Sequence, residues 1–99
     1  MQFPFAVFRV KEESMLPAVK PGDYVLVNGW CYKFRVPKPG EIIILKHPNS
    51  DLVIIKRIKS VLNDKKLYVT GDNSSASEDS RKFGPIDSKD VIGKVILII

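Results

Sequence analysis

The chain of 99 residues has few of the residues that build disulfides, metal sites and membrane spans. Its one cysteine, Cys31, excludes an internal disulfide, and we interpret it as a small, partly buried hydrophobic residue. Because His47 is the only histidine, no Cys/His cluster has metal-ligand spacing, and we expect no metal and no cofactor. The longest unbroken apolar run, Phe3 to Phe8, is far shorter than the roughly 20 residues of a membrane-spanning helix.

The positive charge is spread thinly along the chain. The net charge is +5, but Lys65-Lys66 is the only adjacent lysine pair and no aromatic residues alternate with the lysines. This pattern disfavours nucleic acid as a partner. The N-terminus also lacks the pattern of a secretory signal. We therefore expect a cytoplasmic location with at most peripheral membrane contact; membrane association is the alternative if an anchor has been removed. The sequence does not indicate an oligomeric state.

Short apolar segments separated by turns predict a mainly β protein. Two segments, Lys20 to Val27 and Lys38 to Leu45, share one plan in which Lys-Pro-Gly-acid precedes an apolar strand, as expected for reused type II turns. Almost no stretch keeps a helical period. We predict one domain, residues 1–99, in which short antiparallel strands form a bent sheet or barrel. The other predicted strands are Phe5 to Val10, Leu52 to Val61, Leu67 to Thr70 and Asp90 to Ile99, with Trp30 to Phe34 as a strand or an aromatic loop.

Ser14 is the candidate nucleophile. It follows the first predicted strand, and Pro17 and Pro21 prevent a long helix around it, so a short turn should project its hydroxyl and leave its amide free for an oxyanion. A serine hydroxyl needs a base to take its proton. His47 is one candidate, although a histidine beside a proline in a turn is usually a surface residue.

Lys56 is the better candidate base. Strand alternation places it on one face with Leu52, Ile54 and Ile58, and puts Arg57 on the other face. A lysine in water is neutral for only about 0.04% of the time at pH 7, so a lysine base needs surroundings that disfavour its charge. Apolar neighbours on a strand supply such surroundings.

Four blocks of sequence together resemble the signal peptidase I type of serine peptidase, which uses a Ser-Lys dyad. The resemblance covers about Val10 to Val95, and each block is weak alone but strong in this order. The blocks are Ser14-Met15-Leu16-Pro17 leading to Gly22-Asp23; Pro39-Gly40-Glu41-Ile42; Ile55-Lys56-Arg57; and Gly71-Asp72-Asn73 with Ser77, Asp79-Ser80-Arg81 and Gly84.

The resemblance implies a small signal-peptidase-like domain and a role for each matching residue. Ser14 would be the nucleophile and Lys56 the general base, with Ser77 orienting the Lys56 amine. Two ion pairs, Asp79 with Arg81 and Asp72 with Arg57, would hold the loop from Gly71 to Gly84 against the strand. Each arginine would also neutralise an aspartate that could otherwise hold Lys56 in its charged form.

The substrate implied is a precursor protein, bound as an extended strand and cut to remove an N-terminal extension or signal-like segment. Side chains next to the scissile bond would lie in shallow pockets near Met15. Family members commonly carry a small residue or serine where this chain has Glu12. An ionised Glu12 facing the oxyanion would repel it, so we expect Glu12 to point to solvent and the Ser14 amide to be the main oxyanion donor.

The compact form, with Lys56-Arg57 on one strand and the motif Phe83-Gly84-Pro85, resembles the nickel-type superoxide dismutase maturation peptidases. Two other functions are alternatives. A self-cleaving repressor-type protease would need an Ala-Gly or Cys-Gly bond, and the chain has neither. The second alternative is a catalytically inert β-barrel that binds peptide or nucleic acid, but such a protein would have no need of the Ser-Lys dyad.

Overall fold

The computed structural model describes residues 4–63 and 65–99. Seven strands are the main regular structure of this part of the chain, and the remainder is turns, loops and short helices. The strands are β1 (Phe5–Arg9), β2 (Tyr24–Asn28), β3 (Ile42–Lys46), β4 (Val53–Asn63), β5 (Lys66–Thr70), β6 (Ile86–Asp87) and β7 (Val91–Ile98). The helices are α1 (Cys31–Phe34) and α2 (Ser80–Phe83), with single 3₁₀ turns at Ser74–Ala76 and Ser88–Asp90.

The seven strands make one sheet in the order β1-β2-β7-β3-β4-β5-β6. All of its neighbouring strands are antiparallel. The sheet curls into a half-barrel, which confirms the prediction of a mainly β fold of short antiparallel strands. Among the described residues, no helix is long and apolar enough to cross a membrane.

Two apolar clusters hold the curled sheet together, and β4 contributes to both. Ile55 packs in the first cluster with the buried valines of β2, whereas Ile54 and Ile58 pack in the second cluster with Ile43 of β3. Because successive side chains of a strand point to opposite faces, the middle of β4 is covered on both sides. Lys56 lies between Ile54 and Ile58 in this covered stretch.

The two Pro-Gly turns have the predicted conformation. Gly22 has a φ of 96° and Gly40 a φ of 94°, the region that glycine enters without steric cost. The prediction for Trp30 to Phe34 is wrong, because Cys31–Phe34 forms the helical turn α1. The predicted turn between β4 and β5 includes Asp64, which lies outside the described residues.

Candidate active site

Ser14 lies on a tight turn after β1. The turn is closed by main-chain hydrogen bonds from the Leu16 amide to the Glu13 carbonyl, at 3.1 Å, and from the Val19 amide to the Met15 carbonyl, at 3.0 Å. Pro17 cannot continue a regular helix, so the segment stays a turn. Ser14 is only 3% exposed. Among the described residues, no group accepts a hydrogen bond from the Ser14 amide. This N–H therefore remains able to donate to a substrate oxygen.

Lys56 is buried although it carries an amine. Its exposed fraction is 2%, and its strand neighbours on the same face, Ile54 and Ile58, are buried as well. A buried amine requires a polar partner, because an unpaired charge away from water is costly. The partner found for the Lys56 amine is the side chain of Glu12.

Glu12 joins the two candidate catalytic groups. The Ser14 hydroxyl donates a hydrogen bond to Glu12 Oε1 at 2.7 Å, and Lys56 Nζ donates to the same oxygen at 3.5 Å. The hydroxyl and the amine can therefore be no farther apart than the sum of these two distances. The prediction that Glu12 points to solvent is wrong. A glutamate side chain can turn back over its own segment, and here a hydroxyl and a buried amine attract it.

A cavity of about 220 Å³ opens onto these three side chains. It is lined by Glu12, Ser14, His47, Leu52, Ile54, Lys56, Ala76 and Glu78. A second cavity, of about 260 Å³, lies between residues 8–12, Ile44 and residues 53–55. Glu12 and Ile54 line both cavities, so the two lie next to each other and Glu12 lies where they meet.

The backbone beside these cavities has free sheet edges. β5 pairs with β4 only from Arg57 onward, so the stretch from Val53 to Lys56 has a partner on the β3 side alone. β1 is at the end of the sheet and pairs only with β2. Unpaired N–H and C=O groups along such edges can accept an added strand.

The loop after β5 packs against the main chain of Ser14, the candidate nucleophile. The Asn73 amide donates to the Ser14 carbonyl at 2.8 Å, and the Asn73 side chain donates to the Glu13 carbonyl at 3.1 Å. At Gly71, a Cβ would lie 2.6 Å from the same Ser14 carbonyl oxygen and 2.2 Å from Ser77 Oγ, which is too close for any side chain. Sequence reasoning assigned no role to Asn73, although its place in the Gly71-Asp72-Asn73 block was a signal.

Asp79 is the polar centre of this loop and is fully buried. Its carboxylate accepts hydrogen bonds from the Gly71 amide at 2.7 Å, from Ser77 Oγ at 2.8 Å and from Arg81 Nε at 2.9 Å. Burial by itself raises the pKa of Asp79, but the hydrogen bonds from Arg81, Gly71 and Ser77 outweigh it and hold the pKa well below its ordinary value. The carboxylate therefore stays charged while it ties both ends of the loop together.

The second ion pair expected of the loop also forms. Arg57 binds Asp72 through two parallel hydrogen bonds of 2.8 and 2.7 Å, and its third nitrogen donates to the Gly40 carbonyl at 2.7 Å. The bond to Asp72 raises the pKa of Arg57, so its charge is secure. Both aspartates are thus paired with arginines, and Lys56 is left to contact Glu12. That these pairs support the loop for catalysis stays a prediction.

The other candidate residues of the site are Met15, Ser77 and His47, and each has different contacts. Met15 is fully buried in the first apolar cluster, so its contribution to a substrate pocket stays a prediction. Ser77 makes its side-chain hydrogen bond to Asp79, and its orienting role on Lys56 also stays a prediction. His47 lines the cavity, but its Nδ1 accepts from the Asn49 amide and its Nε2 contacts Glu78 at 3.0 Å. Neither ring nitrogen is free to take a proton from Ser14.

No group of three His, Cys, Asp or Glu side chains within residues 4–63 and 65–99 is arranged to hold a metal ion. The polar side chains that line the cavity carry a hydroxyl, an amine, an imidazole and carboxylates. These are the groups of nucleophilic and acid–base catalysis.

A protein family and several known proteins are similar to large parts of this chain. The family described as "Signal peptidase, peptidase S26" matches residues 1–64 and 59–99. Signal peptidase I of Buchnera aphidicola subsp. Baizongia pistaciae is 34% identical over 74 residues, or 62% of this chain and 24% of that protein. Signal peptidase I V of Bacillus subtilis is 25% identical, with 92% of this chain and 83% of that protein covered. Mitochondrial inner membrane protease subunit 2 of Schizosaccharomyces pombe is 33% identical, with 78% of this chain and 51% of that protein covered.

The matched region spans about a quarter of the Buchnera aphidicola protein, so the likeness to that relative concerns a part of it. The family match, in contrast, extends over both halves of this chain and includes the segments of Ser14 and Lys56. The chain belongs to the signal peptidase family, peptidase S26.

Proposed function

We propose that this protein is a serine endopeptidase in which Ser14 is the nucleophile and Lys56 the general base. The observation that carries the proposal is the meeting of the Ser14 hydroxyl and the Lys56 amine at one carboxylate oxygen, with both residues almost fully buried beside a cavity. Family membership supports the same function. The hydroxyl and the amine lie no farther apart than the sum of these two hydrogen-bond lengths, so a short approach after the carboxylate leaves would bring them into the direct hydrogen bond that proton transfer needs.

The reaction would proceed in two steps through an acyl-enzyme. The neutral Lys56 amine takes the proton of the Ser14 hydroxyl as Oγ bonds to the carbonyl carbon of the scissile peptide. The resulting ammonium returns that proton to the leaving amine as the peptide bond breaks. Water then attacks the ester on Ser14 as Lys56 takes one of its protons. The ester bond breaks, the Lys56 ammonium returns the proton to Ser14 Oγ, and the second product leaves with a new carboxyl group. The Ser14 amide would donate to the oxyanion of both steps.

The substrate would be a precursor protein that binds as an extended strand. The free edges of β1 and of β4 near Val53 lie beside the two cavities, and a chain inserted there could bond to either edge. The apolar lining by Phe8, Val10 and Ile44 suits apolar or small side chains. Because bonds to the main chain are independent of sequence, these cavities would supply the selectivity.

The loop from Gly71 to Gly84 would hold the turn of Ser14 in position. Asn73 bonds to the carbonyls of Ser14 and Glu13, and Asp79 fixes the loop from inside. We propose that Ser77 orients the Lys56 amine during the reaction, when Glu12 no longer contacts it. The test is Ser77→Ala, which should lower kcat more than it raises KM.

The narrower function we propose is removal of an N-terminal extension from a nickel-type superoxide dismutase precursor, in the cytoplasm. The support is the likeness of Lys56-Arg57 and Phe83-Gly84-Pro85 to the maturation peptidases. The protein should be incubated with this precursor, and the cut site identified by mass spectrometry. Cell fractionation tests the location. An intact precursor, alongside cleavage of signal-peptide precursors, would contradict the narrower function alone.

Ser14→Ala and Lys56→Met test the catalytic pair. Each should lower kcat for a cleaved precursor by about 10³-fold or more, because nucleophile and base act as a unit. Matched controls are Ser74→Ala and Lys59→Met, which make the same changes at exposed positions of the 3₁₀ turn and of β4. All four variants should be compared for thermal unfolding. Undiminished turnover in a folded Ser14→Ala or Lys56→Met variant would refute the proposal.

A further inference from the structure

We propose that Glu12 is a specificity-determining residue that slows the acylation of Ser14 by small acyl compounds and is displaced by a chain long enough to fill both cavities. This inference rests on the proposed function of Ser14 and Lys56. It follows from the contacts of the Glu12 carboxylate and from its place between the cavities.

In the structure, the Ser14 hydroxyl donates its hydrogen bond to Glu12, whereas catalysis by Lys56 requires it to donate to the Lys56 amine. Its single proton is donated to Glu12 Oε1 at 2.7 Å, and the Lys56 amine also donates to that oxygen. The carboxylate thus separates nucleophile and base, and it must leave before a proton can pass between them.

The position of Glu12 determines which substrates can move it. Its side chain lines both the 220 Å³ cavity of Ser14 and the 260 Å³ cavity between residues 8–12 and 53–55. A strand bound along the free edge of β4 runs through both cavities, and so it must pass the Glu12 side chain. A small acyl compound fits within the cavity of Ser14 and makes no contact that would favour displacement.

The displaced Glu12 carboxylate can be solvated by water. The Glu12 side chain is 41% exposed, so it can turn into water and keep its charge solvated. Only its contacts to Ser14 and Lys56 are lost, and main-chain hydrogen bonds from a bound strand can offset that loss. Glu12 would therefore act on the choice of substrate and not on the chemical step.

The test uses two esters with the same leaving group: p-nitrophenyl acetate, and the p-nitrophenyl ester of acetyl-tetra-alanine. Both transfer their acyl group to Ser14 and release p-nitrophenolate, whose absorbance gives the rate. The variants are Glu12→Gln, which keeps the size and removes the charge, and Glu12→Ser as a second form if the first folds poorly. Glu13→Gln is the matched control, because it removes the same charge from an exposed neighbouring side chain.

We expect Glu12→Gln to raise the rate of acylation by p-nitrophenyl acetate about tenfold, because one charge-assisted hydrogen bond is lost. The rate of acylation by the peptide ester should change less than about twofold. Glu13→Gln should change neither rate. The proposal is overturned if the two esters respond together. A parallel fall would mean that Glu12 takes the proton or maintains the fold, and a parallel rise or no change would mean that a bound chain does not displace it.

Ser14→Ala separates this inference from the function on which it rests. Mass spectrometry should locate the acetyl group on Ser14 in the wild-type protein and find none in Ser14→Ala. If the variant is acylated as fast as the wild type, the proposed nucleophile is wrong. A different result is that Ser14→Ala abolishes acylation while the ratio of the acylation rates of the two esters is the same in the wild-type protein and in the Glu12 variants. In that case only the proposed role of Glu12 is wrong.

Discussion

Gly71→Ala places a methyl group between the turn of Ser14, the proposed nucleophile, and the loop that packs against it. The added Cβ would lie 2.6 Å from the Ser14 carbonyl oxygen, 2.2 Å from Ser77 Oγ and 2.6 Å from Ser77 Cβ. The Ser77 side chain can rotate, but the Ser14 oxygen belongs to the main chain and can move only with the turn. To reach an ordinary contact of about 3.4 Å, the two segments must separate by nearly 1 Å.

Two consequences follow from this separation. Overpacking of this kind costs about 1–3 kcal/mol of unfolding free energy, which lowers Tm by about 4–8 °C per kcal/mol in a domain of this size. The shift also pulls on the Asn73 amide, which bonds to the same Ser14 oxygen at 2.8 Å. A displacement of about 1 Å at a nucleophile can lower kcat by about 100-fold. Stability and activity should therefore fall together.

The assay measures thermal unfolding and turnover of a cleaved precursor for Gly71→Ala and for the control Gly22→Ala. At Gly22 an added Cβ has no atom within 4 Å, but φ is 96°. The control should lose about 1 kcal/mol through backbone strain and keep its kcat. A Gly71→Ala variant with normal kcat, or with a Tm no lower than that of the wild type, would refute the packing argument.

Two further substitutions probe the same loop. Asp79→Asn should cost about 2–4 kcal/mol of unfolding free energy, because it removes a buried charge that accepts several hydrogen bonds. Since the pKa of Asp79 is lowered on folding, its contribution is complete above the ordinary aspartate value of about 3.9 and is lost as the pH falls below it. Denaturant titrations from neutral to acid pH should show a weaker decline for the variant than for the wild type, and parallel curves would contradict the assignment. Asn73→Ala should cost only about 0.5–1.5 kcal/mol but lower kcat several-fold, because one hydrogen bond to the turn of Ser14 is lost; an unchanged kcat would show that the main-chain bond alone suffices.

The mainly β fold and the turns before β2 and β3 were predictable because they depend on local preferences. Alternating apolar residues form strands in many contexts, and Pro-Gly sets the turn wherever it occurs. The helical turn at Cys31–Phe34 was not predictable in this way. The aromatic residues there favour a strand locally, and the segment is too short for a helical period to be recognised.

Ser14 and Lys56 could be chosen from the sequence because a nucleophile and a base are recognised by residue type and by the order of their blocks. Only the tertiary structure decided what lies between them. Nothing local determines whether Glu12, two residues from Ser14, faces water or turns inward, since its side chain can reach both. Its direction depends on a buried amine supplied by a distant strand, and Gly71 likewise meets Ser14 only after the sheet has curled. Contacts of this kind depend on long-range packing, which a local sequence pattern does not contain.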